Sequence, residues 1–323
     1  MIAVTGGAGF IGSAIIWRLN TLGEDNIICV DELGQDDKWK NLVGLKFVDF
    51  INKNDFINNL DKGFKYSFNA IIHMGANSST TEKDADLLLR NNFEYTKRLA
   101  QFAVANKIRF IYASSGATYG DGSKGFDDDE KSINQLHPLN MYGYSKHLFD
   151  LWAVKQNIMH CIAGLKFFNV YGPNEYHKGD MRSVVHKAFE QIQHEGFVRL
   201  FKSKNPNYKD GEQMRDFIYV KDAVDITLWF LKNKDKNGLY NVGSGKARTW
   251  NDLVKAIFNA LEKPLSIKYI EMPQHLEHKY QYFTEAKIDK LRRAGYTKPL
   301  HSLEEGVTDY VKNYLLKEKY LGL

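Results

Sequence analysis

Short apolar runs rich in β-branched residues alternate with stretches of helical spacing along the first half of the chain. The runs are IAVTG (2–6), NIICVDE (26–32), LKFVDF (45–50), NAIIHMGA (69–76), IRFIYASS (108–115) and HCIAGLKFFNV (160–170). Between them, segments such as 84–106 set Leu87, Leu88, Phe93, Leu99, Phe102 and Ala103 at helical intervals. Strand followed by helix, repeated, predicts a parallel sheet covered on both faces. After residue 170 the pattern loosens into turn-rich and polar loops at 171–183 and 200–216. It resumes as strand and helix at 217–231, a helix near 249–262, a strand at 266–272 and an amphipathic tail around 301–316.

The first strand runs straight into Gly6, Gly7, Gly9 and Gly12. Gly7, Gly9 and Gly12 meet the pattern GxGxxG, and Gly6, Gly9 and Gly12 meet a GxxGxxG variant. Between a strand and a helix, such glycines allow a tight turn and let backbone N–H groups and the positive helix end approach a pyrophosphate. The second strand ends in Asp31 and Glu32, placed to accept ribose hydroxyls. Asp31 would repel a 2′-phosphate, whereas Lys38 and Lys40 would bind one, so residue types alone leave NAD and NADP both open. The expected fold is α/β, a Rossmann-type doubly wound parallel sheet formed by residues 1–168 plus 214–240. A smaller discontinuous C-terminal substrate-binding lobe takes 169–213 plus 241–323.

Tyr142 and Lys146 lie four residues apart in NMYGYSKHLFDLW, on one face of an expected helix. A nearby ammonium favours the phenolate, which can take a proton from a hydroxyl. The fifth strand offers Ser114 and Ser115 at its carboxyl end, where doubly wound sheets bind ligands, and either hydroxyl could hold a substrate oxygen.

Composition narrows the class. Of the 323 residues, 43% are hydrophobic and 26% charged, as in ordinary globular proteins, and the net charge of +5 is scattered. That favours small anionic ligands over nucleic acid. Cys29 and Cys161 both lie in apolar runs, as buried thiols do, with no disulfide framework or metal site expected. No basic segment precedes the N-terminal apolar stretch and no uncharged run reaches the ~18 residues of a membrane span, so a cytoplasmic protein is expected.

With TGGAGFIG, SSGATYG, YGYSK and FFNVYGP, the chain resembles the extended short-chain dehydrogenase/reductases that act on nucleotide sugars, over nearly its whole length. The resemblance implies Ser115, Tyr142 and Lys146 as a catalytic triad, with Asn91 a structural polar residue beside it. The stretches HMGANSSTTEKD (73–84), FFNVYGPNEYHKGDMRSV (167–184), RDFIYVKDA (215–223) and KYQYFTEA (279–286) are similar to those of the family's epimerases. That likeness implies Lys178 as a second acid/base group.

It also implies cofactor contacts at Gly6, Gly9, Phe10, Ile11, Gly12, Asp31, Glu32, Lys38, Lys53, Met74, Gly75, Ala76, Asn77, Ser78, Asn91, Lys146, Val170 and Lys178. Substrate contacts are implied at Asn169, Asp180, Lys187, Phe201, Lys202, Ser203, Lys204, Arg215 and Tyr280. The implied cofactor is NADP, with NAD the alternative; the implied substrate is an ADP-sugar, and the implied assembly a homo-oligomer, a pentamer. The chain departs from the family pattern at Asp180, where serine is usual, at Lys187, where histidine is usual, and in a longer loop before Arg215. The family's dehydratases carry an Asp-Glu pair where this chain reads SGAT, which argues against elimination.

Overall fold

The computed structural model describes every residue except Asp61, His278 and Lys279, so the first residue of the KYQYFTEA stretch lies outside the described residues. In chain order the strands are β1 (Ile2–Thr5), β2 (Ile27–Asp31), β3 (Asp49–Asn52), β4 (Ala70–His73), β5 (Arg109–Ser115), β6 (Ile162–Phe167), β7 (Asn169–Tyr171), β8 (Val198–Phe201), β9 (Met214–Tyr219), β10 (Gly238–Val242), β11 (Ala247–Thr249) and β12 (Ile267–Ile270). The helices are α1 (Phe10–Thr21), α2 (Lys53–Asn58), α3 (Ala85–Leu88), α4 (Tyr95–Ala105), α5 (Met141–Lys155), α6 (Val184–Glu195), α7 (Val220–Lys232), α8 (Trp250–Ala260), α9 (Gln274–Glu277), α10 (Asp289–Arg293) and α11 (Leu303–Asn313).

Seven strands form one parallel sheet in the order β10-β6-β5-β4-β1-β2-β3. Every residue of β1, β2, β4 and β6 is buried, as expected when helices cover both faces. The strand order reverses between β1 and β4, and a doubly wound sheet opens a ligand crevice at that point. Gly6 leaves β1 there with φ +66°, and a Cβ on it would stand 2.6 Å from the backbone nitrogen of Gly75 beyond β4. Only glycine permits that approach of the two strand ends.

A three-stranded sheet, β11-β9-β7, and a parallel pair, β12-β8, pack with α6, α8 and α11. One apolar cluster joins Val4 and Ile15 of the larger sheet's layer to Phe217, Val220, Ile257 and Val307. Among the described residues no helix is long and apolar enough to cross a membrane.

Four boundaries differ from the sequence reading. The third strand begins at Asp49, because Gly44 turns with φ +80° against the carbonyl of Gly322 and Leu45 closes a turn onto Leu42. The run 160–170 breaks at Phe168, whose N–H donates to the Val242 carbonyl while its ring packs on Tyr119 and Phe126. A π-helical turn at Leu89–Glu94 interrupts the expected helix of 84–106. Strand β10 reaches Val242, two residues past the boundary at 240, and β9 joins the smaller sheet although α7 packs on the larger through Ala223, Ile226 and Phe230.

Candidate active site

The glycine turn is shaped by close packing on one side and openness on the other. A Cβ on Gly12 would lie 2.0 Å from the Gly6 carbonyl, so the start of α1 can sit on the turn only with glycine there. A Cβ on Gly9 would meet the Gly6 carbonyl at 3.1 Å and otherwise project into open space, the place a phosphate needs. Gly9 is the N-cap of α1, with no side-chain cap and no acidic residue in the first turn, so the positive helix end is uncovered. These features fit a dinucleotide pyrophosphate.

Asp31, 8% exposed, braces the turn. Its Oδ2 accepts from the N–H of Ala8 at 2.8 Å, and its Oδ1 from the N–H of Glu32 at 2.7 Å and from Lys38 Nζ at 3.0 Å. Glu32 pairs with Lys53, which holds its carboxyl below the usual range, and Lys53 also reaches Asn91 Oδ1 at 3.4 Å. Two carboxylates and two ammonium groups thus alternate at the end of β2. Ile11, Met74 and Val170 pack on the apolar cluster that α7 forms with β5, β6 and β10. The strip Met74–Ser78 is held at Asn77, whose N–H and C=O both bond the side chain of Asn92 at 2.9 Å.

Asn92, fully buried, is a residue the sequence reading passed over in favour of its neighbour Asn91. Its amide also donates to Ser145 Oγ on α5 at 3.0 Å, joining the 77 loop to the helix that carries Tyr142. The π turn sets this phase, and such turns recur at functional sites.

Ser115 ends β5 and caps a 3-10 turn at Gly116–Tyr119, its Oγ accepting from the N–H of Ala117 at 3.1 Å. Asn140 caps α5 through the N–H of Gly143 at 2.8 Å, which fixes Tyr142 in the first turn, where it lines the same cavity as Ser115. Burial pushes the phenol up, and the Ser115 hydroxyl offsets this in part. One turn along, Lys146 is 3% exposed, donates to the Ala113 carbonyl at 2.9 Å and is brought down to about 8 by burial. His73, held between Thr5 and Thr96, stays neutral through burial and the Lys146 charge.

A cavity of about 310 Å³ opens beside these groups, lined by Ser115, Tyr142, Asn169, Arg215, Tyr280 and Thr80 among others. Arg215 is 7% exposed and donates to the Met214 carbonyl at 2.8 Å. Its guanidinium lies over Trp250 at 5.6 Å and Tyr280 at 5.3 Å, and Tyr280 in turn accepts from Trp250 Nε1 at 2.9 Å. Among the described residues no carboxylate pairs with Arg215. A permanent, flat, buried cation with spare donors suits an anionic group. Trp250, which supports it, was not singled out in the sequence.

The other expected residues stand apart from this cavity. Lys178, in a 3-10 segment at Tyr176–Met181, is half-buried with Nζ 5.3 Å from the centre of the Phe10 ring at the start of α1. Burial lowers its amine while Glu175 works the other way. Asp180 is exposed, and Lys187 donates to its carbonyl at 2.9 Å, not to its carboxylate. Lys202 and Lys204 each donate to Glu271 at 2.8 Å and hold that carboxyl down at about 2. The N–H of Ser203 bonds Asp210 at 2.8 Å, and Phe201 ends β8.

A doubly wound sheet with a glycine turn at its switch point and a Tyr-x-x-x-Lys helix at its carboxyl edge defines a Rossmann-type protein of the nucleotide-binding class. A model of the NAD dependent epimerase/dehydratase family matches residues 2–243, and the chain belongs to that family. It is 56% identical over 316 residues to an ADP-L-glycero-D-manno-heptose-6-epimerase of Nitratidesulfovibrio vulgaris strain DP4, covering 98% of both chains. It is 53% identical over 328 residues to a protein of the same name from Fusobacterium nucleatum subsp. nucleatum, covering 98% and 99%. The crystal structure of the Helicobacter pylori ADP-L-glycero-D-manno-heptose-6-epimerase superposes with a TM-score of 0.83 at 29% identity, covering 97% and 95%. The UDP-glucose 4-epimerase of Thermotoga maritima with UDP-glucose gives 0.78 at 25%, covering 98% and 99%.

Proposed function

We propose that the chain inverts C6″ of ADP-D-glycero-D-manno-heptose to give ADP-L-glycero-D-manno-heptose, for the inner core of lipopolysaccharide. The observation that carries this reading is the likeness of 53–56% over nearly the whole chain to proteins of that name. Ser115, Tyr142 and Arg215 in one cavity supply the chemistry it needs.

C6″ is an unactivated carbinol carbon, so its inversion passes through a 6″-ketone that is reduced on its opposite face. A nicotinamide dinucleotide held over Gly6, Gly9 and Gly12 supplies reversible hydride transfer when bound. Tyr142 takes the hydroxyl proton in one direction and returns it in the other, with the Lys146 ammonium favouring its phenolate. Ser115 donates a hydrogen bond to the same substrate oxygen. Because the ketone must turn to show its other face and so presents its oxygen differently in the two half-reactions, a second proton-transfer group becomes useful, and Lys178 takes that role. Arg215 holds the pyrophosphate of the sugar nucleotide. We assign the cofactor as NADP, with Lys38 and Lys53 leaving Asp31 and Glu32 to hold its 2′-phosphate. The same reading makes the protein a cytoplasmic homo-oligomer.

Proton NMR of ADP-D-glycero-D-manno-heptose incubated with purified protein tests the activity, and the nucleotide released on denaturation tests the cofactor. The expected result is an equilibrium mixture of the two 6″ epimers and NADP in the supernatant. Unchanged ADP-heptose together with conversion of a UDP-hexose overturns the reading in favour of a 4-epimerase. Arg215→Met is expected to raise KM by about 100-fold and to leave kcat within about 3-fold, since it removes binding shared by ground and transition states. Steady-state kinetics checks this; a fall in kcat at constant KM contradicts the assignment.

A further inference from the structure

Behind Ser115, Tyr142 and Lys146 lies a buried ion pair that this reaction scheme leaves unused. Lys166 of β6 and Asp150 of α5, 1% and 0% exposed, face each other with Nζ 2.7 Å from Oδ2. Asp150 also accepts from the Tyr112 hydroxyl at 2.8 Å and from Ser114 Oγ at 2.7 Å, both on β5. Lys166 also donates to Thr118 Oγ1 at 2.8 Å, and that hydroxyl donates to the Ser115 carbonyl at 2.8 Å. The pair is thus fastened to the residue before Ser115, to the turn after it and to the helix of Tyr142.

Stability is a poor reason for such a pair. Removing two charges from water costs several kcal/mol per ion, and apolar replacements of a whole buried pair are often neutral or stabilising. Geometry gives a better one. Tyr142, Lys146 and Asp150 recur every four residues along one face of α5, so the point where Asp150 is anchored sets where the other two stand. We propose that Asp150 and Lys166 are positioning residues, which fix the register of α5 against the end of β5 and set the balance of charge around Lys146. The inference rests on the roles assigned above to Tyr142 and Lys146.

The charge balance is one-sided without Asp150. The Lys146 charge acts on neutral His73 from β4, and Asp150 of its own helix acts on Lys146 and, beyond it, on Tyr112 of β5, Tyr119 of the 3-10 turn, His147 and Lys166 of β6. Of these, Asp150 is the carboxylate, and it opposes the effect of burial that brings Lys146 down to about 8.

Four variants test the proposal: Asp150→Asn, Lys166→Met, Asp150→Leu with Lys166→Met, and Lys166→Arg. Each is read by kcat and KM against pH, by thermal unfolding, and by NMR titration of Lys146 in protein labelled with 13C at lysine Cε. Asp150→Asn is expected to lower kcat by about 30-fold with KM within about 3-fold. It should also move the alkaline limb of the profile and the Lys146 titration down by about one pH unit, because the ammonium loses its one carboxylate. Lys166→Met should not move them down, since it removes a cation. The double variant should regain the thermal stability lost by the single ones while kcat stays low, and Lys166→Arg should keep kcat within about 3-fold.

Recovery of kcat together with stability in the double variant makes the pair merely structural and overturns the proposal. If the double variant does not fold, an unmoved Lys146 titration in Asp150→Asn overturns it equally. That titration needs no substrate. An inactive wild type therefore counts against the proposed activity, and an unmoved titration counts against the positioning role.

Discussion

Replacing Tyr142 with phenylalanine is expected to slow epimerisation by about 10³-fold, which is about 4 kcal/mol on the barrier. On the proposed mechanism the phenol takes and returns the proton at the substrate oxygen, and Ser115, which lines the same cavity, holds that oxygen. Little else changes. The ring still fills its place in the first turn of α5, and losing one neutral hydrogen bond at the hydroxyl costs about 1 kcal/mol. Nucleotide released on denaturation should match the wild type, because the glycine turn, Asp31 and the lysines beyond β2 are untouched. The pH dependence provides a second check. Activity that needs the phenolate rises with pH through the ionisation of Tyr142, and that limb should vanish in the variant. Epimerisation within about 3-fold of wild type, measured by NMR, would remove Tyr142 from the chemistry.

The parts of this site that could be read from sequence are those whose residue types are forced. The approach of Gly6 to Gly75 and of Gly12 to Gly6 admits no side chain, so the glycines had to appear in the chain in that order. Tyr142 and Lys146 were visible because helical spacing fixes which residues share a face. What could not be read depends on contacts far apart in the chain. The late start of β3 follows from Gly44 meeting Gly322, and the capture of Lys202 and Lys204 by Glu271 follows from the pairing of β8 with β12. Asn92 was lost for a local reason. A π turn shifts the phase of the helix by one residue, and two adjacent asparagines cannot be told apart without it. Asp31 was placed by its position at a strand end, but its bond to the N–H of Ala8 makes it a brace of the glycine turn as well, which spacing does not reveal.

Lys178→Met is expected to cost about as much as Tyr142→Phe, about 10³-fold in epimerisation, though the side chain looks like an ordinary loop lysine in the sequence. The structure puts it half-buried over Phe10, where burial lowers its amine toward the range in which it can act as a base. Methionine keeps an apolar stem of similar length and removes the amine that lies over Phe10, so folding and cofactor retention should be preserved. The decisive measurement is made on the two ADP-heptose epimers separately. With Lys178 gone, Tyr142 can still serve the epimer whose hydroxyl it faces, so that epimer alone should be oxidised, seen as the near-ultraviolet absorbance of reduced nicotinamide. With Tyr142 replaced, the other epimer should behave so, through Lys178. A single acid/base group working on both faces predicts instead that Tyr142→Phe silences both epimers while Lys178→Met spares both. The sign of the pH response separates the two schemes once more. Lys178 acts as a base only after losing its proton, so the oxidation left in Tyr142→Phe should rise with pH through the lowered amine and be lost below it.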